Sequence, residues 1–182
     1  LNAARELFVN EGYELASVDA IAARAGVSKR TVYDHFGDKE TLFFEAIQAK
    51  CAEMMPDDLF VTDSEGPLRE QLRGIGHAFF ALISSDEAIA TQRMMMTPET
   101  DDRIREMFWQ AGPKRTESAL AEFLEARAAR GELAIDDPRL AARQFFCLIK
   151  GELHAHMMCG LCAAPEQPDA EAHIATTVDF FI

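Results

Sequence analysis

The sequence predicts an all-α protein: a small N-terminal domain of three short helices, residues 1–48, ahead of a larger helical domain, residues 49–182. Three observations carry this. Apolar residues recur at spacings of three and four along nearly the whole chain, which is the repeat of a helix with one buried face. No run alternates apolar and polar residues between hairpin signals, so strands find no support. Gly12, Gly26 and Gly37 cut the opening of the chain into short segments, whereas the later segments are long. With 182 residues, 48% apolar and 27% charged, the chain can bury a real core.

The elements follow in order. Ala3, Ala4, Leu7 and Phe8 form the stripe of a first helix, which is expected to end near Gly12 as a C-cap. Ser17 offers an N-cap for a short helix, with Asp19 in its first turn and Val18, Ile21, Ala22 and Ala25 on one face. Gly26 stops it, Ser28 caps the next helix to about Phe36, and Gly37-Asp38 breaks the chain again. A long helix runs from Lys39 to about Met55, followed by a polar connector over 56–66. Pro67 suits the first position of a helix over 67–84, with further helices over 86–97, 99–111 and 113–130. Gly112-Pro113 separates the last two of these. "RGELAIDDP" reads as a loop with Gly131 as a C-cap, and helices over 138–161 and from about 170 to the end flank the turn "AAPEQPD".

Charge is divided unevenly. The chain carries a net −13, but residues 1–50 hold 6 Lys/Arg against 8 Asp/Glu, and residues 51–182 hold 12 against 23. Most of the surface is therefore one that phosphate avoids, and the opening segment is nearly neutral. There the stretch "GVSKRTVYDHF" places Lys29, Arg30, Tyr33 and His35 on one short helix. Two short helices separated by a glycine turn describe a helix-turn-helix. On a wheel with Val32 at zero, Phe36 lies near ~40°, Arg30 near ~160° and Asp34 near ~200°. Thr31 falls near ~260°, and Tyr33 and His35 flank the helix near ~100° and ~300°. Val32 and Phe36 mark the inner side. Arg30 faces outward toward base edges, and the flanks face phosphates. Ser17 and Lys39 sit at helix N-termini, where free N–H groups favour phosphate. Asp34 has two readings: it accepts from a cytosine amine, or it pairs with Arg30 one turn earlier and orients it. A solvated face with no DNA role is the plain alternative.

The stretch "ELFVNEGYELASVDAIAARAGVSKRTVYDHFGDKETLFFEAI" resembles the N-terminal domain of the tetracycline-repressor (TetR) family. The resemblance covers most of residues 1–47 and rests on "F-x-x-x-G-Y", "V-x-x-I-A-x-x-A-G-V-S", "T-V-Y-x-H-F" and "K-E-x-L". The later "GELAIDDPRLAARQFFCLIKGELHAHMMCGL" is similar, more weakly, to the regulatory domain of an AefR-like subset. The resemblance implies a dimeric transcriptional regulator, usually a repressor, that leaves a palindromic double-stranded operator when a small molecule binds. It implies DNA contacts at Ser17, Ser28, Lys29, Thr31, Tyr33, His35 and Lys39. Arg30 stands where the family often has a small residue, so its contact is specific to this chain.

By the same resemblance the larger domain holds both an effector pocket and the homodimer interface. The helix over 138–161 is apolar nearly all round, which asks for cover on two sides, and the last helix joins it in a four-helix interface. Pocket candidates are Phe79, Phe80, Met94, Met95, Phe108, Trp109, Phe123 and Phe146, with His154 to orient a mostly apolar ligand. For any one of them, an ordinary core role is the simpler reading.

Cys159-Gly-Leu-Cys162 with His156 invites a metal or redox reading, but no second ligand pair at finger spacing accompanies it. Neither a metal nor a cofactor is expected. No nucleophile–base pair, phosphate loop or paired-carboxylate motif points to an enzyme. No apolar run of about 18 residues and no signal peptide are visible, so a cytoplasmic protein without a membrane span is expected. The chain opens at Leu1 already within a helical pattern, so upstream residues, a basic arm among them, are expected. The competing function is a dimeric helical module that binds small molecules without binding DNA.

Overall fold

The computed structural model describes residues 1–61, 66–162 and 167–182, and helices are the only regular elements among them. Parts of the expected connector (62–65) and of the "AAPEQPD" turn (163–166) lie outside the described residues. In chain order the helices are α1 (Asn2–Leu15), α2 (Val18–Ala25), α3 (Lys29–Phe36), α4 (Lys39–Met54), α5 (Leu68–Ser84), α6 (Asp86–Met95), α7 (Asp102–Ala111), α8 (Pro113–Ala129), α9 (Pro138–Met158) and α10 (Gln167–Phe181). A 3-10 turn, Asp57–Phe60, precedes α5. The chain forms two compact units: Leu1–Cys51 with Asp86–Pro113, and Ala52–Ser85 with Lys114–Ile182.

The first unit closes around an aromatic cluster. Phe8 lies 5.2 Å edge-on from Phe43, and Tyr13 lies 5.3 Å from Phe43. Such edge-to-face pairs add to the burial of the rings themselves. Ile21, Val32 and Leu42 complete this core, and so do Met95 and Ile104 from α6 and α7. Residues 86–113 thus pack with the first fifty, although the sequence groups them with the larger domain. At Gly12, where the sequence ends the first helix, α1 is interrupted. The glycine's φ of 81° and ψ of 162° break the helix, which then resumes to Leu15. That break carries Tyr13 into contact with Phe8 at 5.7 Å.

In the second unit α5, α9 and α10 pack on one another. The approach is close at Gly76, where an added Cβ would stand 2.9 Å from Ile174 Cγ2 and 3.1 Å from Ile149 Cδ1. From α8, Leu120, Phe123 and Leu124 are buried. Buried Arg127 on the same helix donates to both carboxylate oxygens of Glu132 at 3.0 and 2.8 Å and to the Gln71 side chain, while lying 5.4 Å from the Phe123 ring. A buried guanidinium is tolerated only with such partners.

Three expected helices differ in extent, and one of them, α10, opens at Gln167 rather than near 170. α7 starts at Asp102, because the Asp101 carboxylate caps it by accepting from the Arg103 N–H at 2.7 Å. α9 ends at Met158 and is broken at Gly151, whose φ of 51° is open to glycine and strained for any side chain. The break leaves the Ile149 carbonyl bonded to His173 Nε2 of α10 at 2.9 Å, and the His173 ring occupies the space a Cβ at 151 would need.

Candidate nucleic-acid interface

The two short helices are fixed by the residues that the sequence marks as their ends. The Ser17 hydroxyl accepts from the Ala20 N–H at 3.1 Å, and the Ser28 hydroxyl accepts from the Thr31 N–H at 3.0 Å. These caps satisfy donors that a helix start leaves open. Between them Gly26 adopts the left-handed conformation (φ 69°), and the Val27 N–H donates back to the Ala22 carbonyl at 3.0 Å. Both features define a glycine-terminated helix, here serving as the turn of the motif.

α3 is held by its inner side. Val32 is 6% exposed, and Phe36 packs half-buried against the same core. Outward stand Arg30 and Asp34, whose side chains are 88% and 66% exposed. Tyr33 and His35 are exposed on the flanks, and Thr31 is half-buried with its hydroxyl 2.8 Å from that of Ser28. α4 begins beside them. Asp38 accepts from the Thr41 N–H at 2.7 Å, and this bond holds its carboxyl below the ordinary carboxylate range. Lys39 is half-buried, donates to the Glu14 carbonyl at 3.1 Å and lies 4.4 Å over the Tyr13 ring. Burial pushes its pKa down, with Glu14 opposing.

Carboxylates partner several of the cations on this face. Lys29 Nζ lies 2.7 Å from Asp19 Oδ2, a bond that raises the Lys29 pKa. Arg30 Nε lies 3.4 Å from Asp34 Oδ2, and Arg24 lies 2.8 Å from Glu6. Sequence reasoning recognises Asp19 only as a first-turn acid and does not find the Lys29 partnership. The two are ten residues apart across the turn, and no helical spacing announces the pair. Asp38 as the cap of α4 and Arg127 as a buried clasp are also missed, although an Asp three residues before Thr41 is a readable cap signal.

The pocket candidates divide between the two units. Phe79 and Phe146 meet in the second, with ring centroids 4.2 Å apart, and Phe80, Phe123 and His154 are buried there too. Nε2 of His154 has no hydrogen-bond partner. Burial, with Lys150 adding to it, holds the imidazole below its usual 6.5. Met94, Met95 and Phe108 belong to the core of the first unit, and Trp109 is exposed on that unit. Cys51 is buried, and Cys147, Cys159 and Cys162 are exposed free thiols. Among the described residues no group of three or more His, Cys, Asp or Glu is arranged to hold a metal, and no helix is long and apolar enough to cross a membrane.

A capped helix-turn-helix in the first unit, with a second helical unit in the same chain, defines the class, a DNA-binding regulator of the helix-turn-helix type. Residues 1–46 match the model of the bacterial regulatory proteins of the tetR family, and residues 70–182 match that of the AefR-like transcriptional repressor C-terminal domain. The chain belongs to the TetR family, whose members are transcriptional regulators and not enzymes.

Three relatives place it further. It is 37% identical over 86 residues to the transcriptional activator FasR of Mycolicibacterium smegmatis, covering 47% of this chain and 39% of that one. It is 37% identical over 75 residues to the transcriptional repressor AcnR of Corynebacterium efficiens, covering 41% and 37%. The chain thus matches under two fifths of the length of these curated relatives. The solved structure of the flavonoid-responsive regulator FrrA is 34% identical, covers 99% of this chain and 91% of its own, and superposes with a TM-score of 0.77.

Proposed function

We propose that the protein is a homodimeric, ligand-responsive transcriptional repressor that binds a palindromic operator in the cytoplasm and leaves it when a small, mostly apolar effector binds. The observation that carries this reading is α3, anchored by Val32 with Arg30 exposed on the opposite side. In it Arg30 addresses bases, while Ser17, Ser28, Lys29, Thr31, Tyr33, His35 and Lys39 address the phosphates that set register. The repressor sign draws on the AefR-like repressor match over 70–182 and on AcnR, against FasR as an activator. α9 carries exposed Leu140 and Leu148 and α10 exposed Phe180, apolar side chains suited to a second copy. In this reading the paired rings of Phe79 and Phe146, and separately the unpartnered Nε2 of His154, are the second unit's candidates for a mostly apolar effector with a polar group. FrrA's response to flavonoids makes a flavonoid the first effector to try.

The alternative, a dimeric ligand-binding module without DNA binding, has one observation behind it: Lys29 and Arg30 are already paired with carboxylates. A gel shift on the DNA upstream of the protein's own gene separates the two. At low salt a retarded band is expected, and it is expected to weaken when a flavonoid is added. A dimer that never retards DNA would establish the alternative.

A further inference from the structure

We infer that Arg30 and Asp34 act as one base-reading unit, with Arg30 taking a guanine and Asp34 taking the amine of a nearby cytosine. The inference rests on the proposed DNA binding and specifies what the operator contains. The closest approach of the Asp34 carboxylate to Arg30 is Oδ2 to Nε, at 3.4 Å. In the inferred unit a contact through Nε biases the guanidinium and lets the two Nη groups point away together as a fork. A guanine presents O6 and N7 to the major groove at the matching separation, and arginine takes both at once.

The carboxylate keeps acceptor capacity after holding Nε, since an ionised carboxyl has roughly four lone-pair sites. At 66% side-chain exposure it remains accessible to a base edge. Asp34 stands four residues along the helix, or ~6 Å at the helical rise. Base pairs stack at ~3.4 Å, so the two side chains address positions within about two steps of each other. A carboxylate finds no favourable phosphate contact, and in the major groove the cytosine N4 amine is the donor that suits it. Asp34 then has two effects. It selects cytosine, and it repels duplexes that offer only phosphate. The second effect needs no further contact, because Asp34 is charged, exposed and centred on the outward face.

The test is binding-site selection from a randomised duplex pool with the intact protein, comparing wild type, Arg30→Ala, Arg30→Lys and Asp34→Ala. Both side chains are exposed, so unchanged circular dichroism is expected throughout. Wild type should enrich a guanine with a cytosine within two steps. Arg30→Ala should lose about 10- to 100-fold in discrimination at the guanine. Arg30→Lys should lose most of that discrimination while keeping affinity for random duplex, because a point charge replaces the fork. Asp34→Ala should lose the cytosine preference and bind random duplex more tightly. A wild type that selects a site while both alanine variants select the same site would overturn the inference and leave DNA binding standing. A wild type that selects no site at all would overturn the DNA-binding reading, and the inference with it.

Discussion

Lys29 reaches Asp19 at 2.7 Å across the turn between α2 and α3. Both side chains are substantially exposed, so the pair adds little to folding and acts mainly on the local field. Asp19→Asn releases one cation to phosphate. The expected result is tighter binding to an unrelated duplex and a salt dependence steeper by about one unit in the log–log slope. Titrating affinity against salt checks it, and an unchanged slope would mean that Lys29 does not reach phosphate. Tyr13 offers a second test at this scale. Burial, aided by Glu40 and Glu14, pushes its phenol up to about 12 from 10.0. The folded state keeps the proton that the unfolded state loses, so this group's contribution is intact below pH 10 and is lost as pH rises toward about 12. The chain has two tyrosines, so in Tyr33→Phe the tyrosinate absorbance reports Tyr13 alone. It should rise near pH 12 while the protein is folded and about two pH units earlier in denaturant. An onset near 10 in the folded protein would contradict the burial argument.

Among the elements, α5, α9 and α10 show how small residues set helix distance. Gly76 lets α5 approach Ile149 and Ile174 so closely that a methyl group has no place. Gly76→Ala should destabilise the protein by about 1–3 kcal/mol, the usual cost of overpacking, read as a lowered denaturant midpoint with unchanged slope. An unshifted midpoint would mean that α5 can move away freely. Gly151 acts differently, through its backbone. Its positive φ splits α9 into two segments and presents Ile149's carbonyl to His173. The sequence reads one continuous helix over 138–161 here. Periodicity alone does not reveal a break when apolar positions continue on both sides of it.

At the scale of the whole molecule, acidity and assembly remain. With a net −13, the proposed DNA contact rests on the small patch around α3, so in the proposed dimer affinity should depend on few phosphates per copy and on the doubling of the site. Phe180 is 78% exposed on α10, and Leu140 and Leu148 are exposed on α9. Phe180→Asp should convert a dimer into monomers by sedimentation and weaken operator binding, and a dimer surviving the change would move the interface elsewhere. By itself the sequence determined the helix order, the Ser17 and Ser28 caps, the Val32 anchor and the outward Arg30, because caps and periodicity are local and need no partner. Only the tertiary structure decided that α6 and α7 complete the first unit's core, that Met94, Met95 and Phe108 pack there, and that Lys29 holds Asp19. Each of these depends on which distant segments meet, and that is settled by apolar burial and charge pairing across the chain, which local spacing does not encode.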